Sequence, residues 1–263
     1  MKLARVVPVI RALGALGVLV TVACGGGGAS DLDAGPTGGD GGLDSGGGGD
    51  GGGDMCGTLR ATIRDFRIDH PDFEVTPAAD TVIEGLVMPT ITPGDPPTLA
   101  ANAPAAGLIT NATTFSEWYR DVAGVNQRFE QTLALDETSP GSGVYVFDSD
   151  AFFPLDGQGF GDEGNPHNYH FTTELHARFT YEGGERFTFR GDDDVWVFVN
   201  GRLAIDIGGV HSAVERTIDF DARASELGIT PGTSYPIDFF HAERHVTGSN
   251  FRIETSIPCF IIF

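Results

Sequence analysis

The chain has 263 residues, with 16 Lys and Arg against 37 Asp and Glu and a formal net charge of −21 at pH 7. A surface this acidic excludes holding nucleic acid through its phosphates. It favours solubility and metal cations and does not oppose neutral glycans.

Met1–Ala23 reads as a signal peptide. Lys2, Arg5 and Arg11 make a basic start, and the apolar stretch Ala12–Ala23 is too short to span a bilayer. Cys24 follows Thr21-Val22-Ala23, which resembles a bacterial lipoprotein cleavage site with Cys24 as the lipidated N-terminus. Thr21 stands where Leu or Val is usual, which leaves cleavage by the ordinary signal peptidase open. Residues 24–54 are mostly Gly with Asp, Ser and Ala. They bury no core and read as a flexible tether with a root-mean-square span of about 30 Å. No strict triplet period supports collagen.

Residues 55–263 fit one all-β domain. Removing the three basic residues of the leader from 16 and the six aspartates of the tether from 37 leaves 13 and 31 in the domain. Cys56 opens the domain and Cys259 nearly closes it. In an exported protein this pair is expected to form a disulfide. Closing so long a loop is worth about 5 kcal/mol in the chain-entropy model. The spacing rules out a zinc site.

Along the domain, Leu59–Phe66 reads as the first strand and residues 69–74 as a turn. Residues 76–112, rich in Pro, Ala, Gly and Thr, read as a long surface loop with one strand at Val82–Val87. Phe115–Asp121 is a candidate short helix that points Phe115 and Trp118 inward. Arg128–Leu135 and Gly143–Asp148 look like a strand pair. After the glycine-rich turn Asp156–Gly164, Tyr169–Thr180 and Glu185–Arg190 alternate with period two. Glu215–Phe220, Ser234–His241 and Asn250–Ile257 continue the pattern. Many short strands and no long helical period imply an antiparallel β-sandwich or barrel.

Residues 191–201, Gly-Asp-Asp-Asp-Val-Trp-Val-Phe-Val-Asn-Gly, organise the rest. Val195–Val199 is uniformly apolar, as in a strand buried on both faces. Asn200-Gly201 supplies the positive-φ pair of a tight turn, and Arg202–Ile207 returns. Asp192, Asp193 and Asp194 then sit at the far end of the hairpin. They are either a solvated acidic turn or, since they repel one another at the mouth of a buried strand, oxygen ligands for a hard cation.

The stretch from Gly191 to His211 resembles the core of the fibro-slime domain, which is similar to the protective-antigen-like β-sandwich. Further matching stretches are Trp118–Asn126, Phe152–Gly157, His167–Thr172 and Phe240–His245, in the expected order. The resemblance implies that fold. In its carbohydrate-binding members two adjacent aspartates joined by a cis peptide bind calcium, which contacts sugar hydroxyls. Asp192 and Asp193 match that pair, and Asp194 stands where many relatives have glycine. Asn250, in the loop before the last strand, matches the asparagine that completes the metal site, or is a turn residue leading into a strand. Asp194, Arg244 and His245 are the accompanying ligand-binding candidates.

Other residues invite blander readings. His241 and His245 are four apart, but a zincin needs Glu directly after the first His, on a helix, and Ala242 stands there. A packed His241 and an exposed His245 are expected. His167, Tyr169, His170 and His176 could line a glycan pocket, with structural roles as the plainer alternative. His211 could hydrogen-bond the turn near the aspartates. Trp196, between valines, reads as core. No nucleophile elbow, P-loop or Cys–His signature indicates an enzyme.

The combined expectation is an exported, lipid-anchored module of the bacterial envelope. It binds a glycan or extracellular polysaccharide through calcium and touches the membrane only through its lipid. The alternative is a non-catalytic envelope module in which calcium only stabilises.

Overall fold

The computed structural model describes the backbone of Asp54 and Met55 and residues 57–261. They lie in one compact unit, Gly48–Phe263. The segments expected to be a signal peptide and a tether, up to residue 53, and Cys24 and Cys56 lie outside the described residues. Cys259 is disulfide-bonded.

The strands are β1 Asp54–Met55, β2 Thr58–Phe66, β3 Asn126–Ala134, β4 Asp136–Glu137, β5 Tyr145–Ser149, β6 Phe171–Tyr181 and β7 Arg186–Gly191. They continue as β8 Asp194–Val199, β9 Arg202–Ile207, β10 Val214–Asp219, β11 Thr233–Glu243, β12 Phe251–Thr255 and β13 Phe260–Ile261. Two helices, α1 Ala112–Ser116 and α2 Phe220–Leu227, complete the elements used here. An eight-stranded sheet runs β1-β13-β6-β11-β8-β9, with β2 joined to β6 and to the edge strand β3. A five-stranded sheet runs β10-β7-β12-β5-β4. Every pairing is antiparallel. The two sheets pack face to face, with Phe239 of the larger 5.4 Å from Phe189 and 5.5 Å from Phe251 of the smaller, between ring centroids. The fold is a β-sandwich, as the strand pattern implied.

The apolar run in β8 is explained by burial on both faces. Val195, Val197 and Val199 join the core between the sheets. Trp196 and Phe198 point the other way, into a second core with Phe115, Trp118, Tyr119 and Phe240. That second core is roofed by the long excursion between β2 and β3. Asn200 and Gly201 turn the hairpin with φ of 51° and 71°. A Cβ on Gly201 would stand 2.6 Å from Ile91 O, so only glycine fits.

Four local expectations change. Arg128–Leu135 and Gly143–Asp148 do not pair: β3 joins β2, while β5 joins β12 and β4. The chain passes to the other sheet at Leu135, whose N–H donates to Gly57 O, and the small β4–β5 hairpin takes the local partner. Val82–Val87 is not a strand. Only Val87 forms a bridge, to Leu99, and Ile83 N–H donates instead to Gly208 O. The short helix starts earlier, at Ala112, because Asn111 Oδ1 accepts the N–H groups of Thr113 and Thr114 and caps it there. Phe115 and Trp118 are nevertheless both buried. Finally, α2 was not foreseen. Eight residues are too few to show a period, and the helix is held by its ends: Asp219 caps Ala222 N–H, and Gly228 closes it at φ 66°.

On the roofed face of the larger sheet, a polar chain runs across three strands. Arg64 of β2 pairs with Glu174 of β6. His176 bridges Glu174 and Asp238 of β11, both at 2.7 Å. Gly94 N–H, from the excursion, donates to Asp238. Burial alone would push His176 down, but hydrogen bonds to Asp238 and Glu174 outweigh it and raise the imidazole to about 9. A raised folded-state value means stability that is complete below the ordinary histidine range and is lost as pH rises through about 9. Urea unfolding at pH 6.5 and pH 9.5 is expected to show a loss on the order of 1–3 kcal/mol. His176→Gln should flatten that difference; an unchanged slope in the variant would show that His176 is not its source.

Candidate functional site

Three connections carry the chain from one sheet to the other at the same end of the sandwich. Residues 192–193 join β7 to β8, 208–213 join β9 to β10, and 244–250 join β11 to β12. The Asn200-Gly201 turn lies at the opposite end of β8. The three connections enclose a cavity of about 380 Å³, whose polar lining includes Asp80, Asp192, Asp193, His211, His245 and Asn250. Close approach shapes the crossing, since a Cβ on Gly191 would lie 2.2 Å from Asn250 O. The Asp192–Asp193 peptide is cis.

Both aspartates are buried and held by N–H donors. Asp192 accepts from Asn250 N–H at 2.6 Å and from its Nδ2 at 2.7 Å. His241, packed in the core, donates through Nε2 to Asp192 O at 2.8 Å, and burial holds its imidazole down to about 4. Asp193 accepts from the N–H groups of His211 and Arg244, each at 3.1 Å.

Asp194 and Arg244 do not face the cavity, which corrects their reading as ligand-binding residues. Both side chains are fully buried and form an ion pair at 2.6 Å. Asp194 also accepts from Gly209 N–H at 2.6 Å. Arg244 donates onward to Asp72 O, Gly107 O and Leu108 O, and its guanidinium stands 5.0 Å from the Trp118 ring centroid. The pair ties the roofing excursion to two of the three connections.

Charge at this end is out of balance. Asp193 and Asp194 both meet one buried cation-bearing residue, Arg244, and Asp192 adjoins them in the chain. Burial pushes Asp193 up to about 8, with Arg244 opposing and Asp194 adding to the rise. Beneath them Glu243 is fully buried and held well above the usual carboxylate range, by burial first and then by Asp193 and Asp192. Among the described residues no group of three or more His, Cys, Asp or Glu has the arrangement of a metal site. A cation here would rely on two carboxylates, the Asn250 side-chain oxygen and backbone carbonyls. That all-oxygen set suits calcium or magnesium rather than zinc.

Of the other candidates, His245 lines the cavity and hydrogen-bonds Val246 O through Nδ1. His211 lines it too and supports Asp193, as its position near the cluster suggested. His167 stacks on Phe153 with centroids 4.0 Å apart and pairs with Asp156. His170 pairs with Glu74, and Tyr169 is buried. These three and His176 are not among the cavity-lining residues. Trp196 is core, with Nε1 donating to Asp206. Asp80 was missed. It lies in the aperiodic excursion, 132 positions from Ser212, whose N–H and hydroxyl it accepts, and nothing in its local sequence marks it.

Comparison with known proteins bears on this end of the molecule. Residues 160–258 match the PA14 domain. The PA14 match contains Asp192, Asp193, His211, His245 and Asn250, but not Asp80. Curated relatives from Dictyostelium discoideum include protein psiD, 41% identical over 212 residues, or 76% of this chain and 41% of that protein. Protein psiR is 39% identical over 202 residues, or 72% of this chain and 20% of that protein. The chain thus spans less than half the length of these relatives. Among solved structures, the PA14 sugar-binding domain from an RTX adhesin is similar at 16% identity over 46% of this chain and 75% of that one, with a TM-score of 0.28. The PA14 domain of the MpAFP antifreeze protein is similar at 12% identity over 42% and 63%, also with a TM-score of 0.28.

Removing one partner of a buried ion pair leaves the other charge uncompensated. Arg244→Met is therefore expected to cost about 3–5 kcal/mol in urea unfolding. Adding Asp194→Asn to it should recover part of that loss. A double variant as unstable as the sum of the two single ones would show that the pair is not coupled.

Proposed function

We propose that the chain binds carbohydrate through a calcium ion held by Asp192, Asp193 and Asn250, as an exported, surface-tethered adhesion module. The carrying observation is the pair of buried carboxylates lining a cavity, beside a third aspartate that already takes the buried arginine of this end. Export and tethering rest on the pattern of Met1–Cys24.

The chain's own groups prepare the site. Asn250 N–H fixes Asp192, and the N–H groups of His211 and Arg244 fix Asp193, so both carboxylates are ordered before any ligand arrives. Each carboxylate oxygen keeps a further lone pair for a cation. Calcium, when bound, offers open coordination positions to the vicinal hydroxyls of a sugar. The cavity volume falls in the range of small-ligand sites.

A second reading has one observation in its favour. Asn250 engages both oxygens of Asp192, which stitches the 244–250 connection to the 192–193 crossing. In that reading calcium only stabilises the end of the sandwich, in a non-catalytic envelope module.

Thermal unfolding of the full chain is expected to shift upward by about 5–10 °C with calcium at a hundredfold excess over Kd, relative to chelator. The Asp192→Asn, Asp193→Asn variant should show no shift. A parent that does not respond to calcium would remove the mechanism. A parent that responds to calcium but stays blank on a glycan array would favour the second reading.

A further inference from the structure

Residues 69–74 read as a turn, yet they end on a residue that a turn alone does not account for. Glu74 has a φ of 52°, in the left-handed region that side chains other than glycine seldom adopt. Such a backbone persists only where its surroundings fix it. Here the fixing contacts come from the 244–250 connection between β11 and β12.

Three hydrogen bonds lace residues 72–74 to residues 244–246, and none belongs to a sheet. Glu74 N–H donates to Arg244 O at 2.8 Å. Arg244 Nη1 donates to Asp72 O at 3.0 Å. Glu74 Oε1 accepts from Val246 N–H at 3.0 Å. The same oxygen meets His170 Nε2 at 2.8 Å. A carboxylate only accepts, so Nε2 carries the hydrogen. The His170 side chain is 2% exposed, and its carbonyl takes the N–H of Phe66, the last residue of β2. Glu74 therefore ties Val246 to the frame of the larger sheet.

The segment so held is the one that dresses the cavity. Arg244 N–H orients Asp193, and Asn250 N–H and Nδ2 orient Asp192. His245, Thr247, Gly248 and Asn250 contribute to the lining, whereas Glu74 does not. β11 ends at Glu243 and β12 begins at Phe251, so strand pairing does not hold the connection. Its far end is tied by Phe152 N–H to Ser249 O, and its near end by Glu74.

We propose that Glu74 is a positioning residue for the cavity: its carboxylate fixes the connection whose N–H groups orient Asp192 and Asp193. This inference rests on the calcium reading of the same cavity, and adds to it a residue that sets the affinity without touching the ion. Residue 74 lies outside the span 160–258 matched to the PA14 domain. The excursion thus supplies a support that the matched span lacks.

The test uses the full chain and two substitutions. Glu74→Gly removes the carboxylate and suits the left-handed backbone, so the turn itself is not strained. Glu74→Gln removes the charge but keeps an oxygen that accepts both hydrogen bonds. Amide hydrogen exchange is followed in chelator, and calcium binding by calorimetry. In Glu74→Gly the amides of residues 244–250 are expected to exchange about tenfold faster, with those of β6, β8 and β11 unchanged. Its calcium Kd should rise by about 10–100-fold, as when a group that orients a metal ligand is lost. Glu74→Gln should recover most of both effects. Parent-like exchange at 244–250 in Glu74→Gly would overturn the proposal, as would an unchanged Kd where the parent binds calcium. So would faster exchange spread evenly over both sheets, the mark of a residue that only stabilises the fold, or a Glu74→Gln variant that behaves like Glu74→Gly. Exchange is read without metal and decides the positioning role by itself. A parent that fails to bind calcium would strike the metal reading alone.

Discussion

The ion pair between Asp194 and Arg244 is what the cavity end of the sandwich hangs on. A guanidinium with no exposed surface is paired with Asp194, and such a charge is tolerable only where its donors are matched. Here Nε meets Asp194, and the remaining donors reach three carbonyls of the roofing excursion. The same residue's backbone N–H holds Asp193. One side chain therefore joins the roof, the sheet and the acidic crossing. Asp193 is held by two N–H donors and has little freedom to turn outward, so burial and the neighbouring Asp194 raise its carboxyl instead.

That constraint separates two jobs that look alike on paper. Three consecutive aspartates form one motif in the chain, yet a strand alternates its side chains between faces. Asp194, the first residue of β8, is turned into the scaffold. Asp192 and Asp193 lie in the crossing before the strand and face the cavity. The identity of the group thus matters less than its position relative to the point where pairing begins.

Much of the architecture was legible because its signals are local. The Val195–Val199 run, the Asn200-Gly201 turn and the alternation in Arg186–Arg190 each follow from burial and pleat geometry over a few residues. The β3 pairing was not legible, because its partner β2 is far away in sequence while a closer strand invited a hairpin. Helix α2 was hidden by its shortness. At the site, the nearness of Asn250 to Asp192 came from resemblance to a family and not from spacing. Asp80 had no signal of either kind. Arg244 was misjudged because a charged residue in a motif suggests contact with ligand, whereas its burial depends on carbonyls from residues 72, 107 and 108 that only the fold brings together.

The excursion between β2 and β3 crosses the back of the larger sheet and still delivers one residue to the cavity rim. It is anchored by carbonyl contacts to Arg244 and by apolar packing on Trp196 and Phe198, and neither anchor involves Asp80. The segment around Asp80 has its own ties, to Ser212 and through Ile83 N–H to Gly208 O, both in the connection that holds Asp193. A change in that rim segment would therefore be felt at the acidic crossing, as shifting one leg of a tripod tilts what it carries.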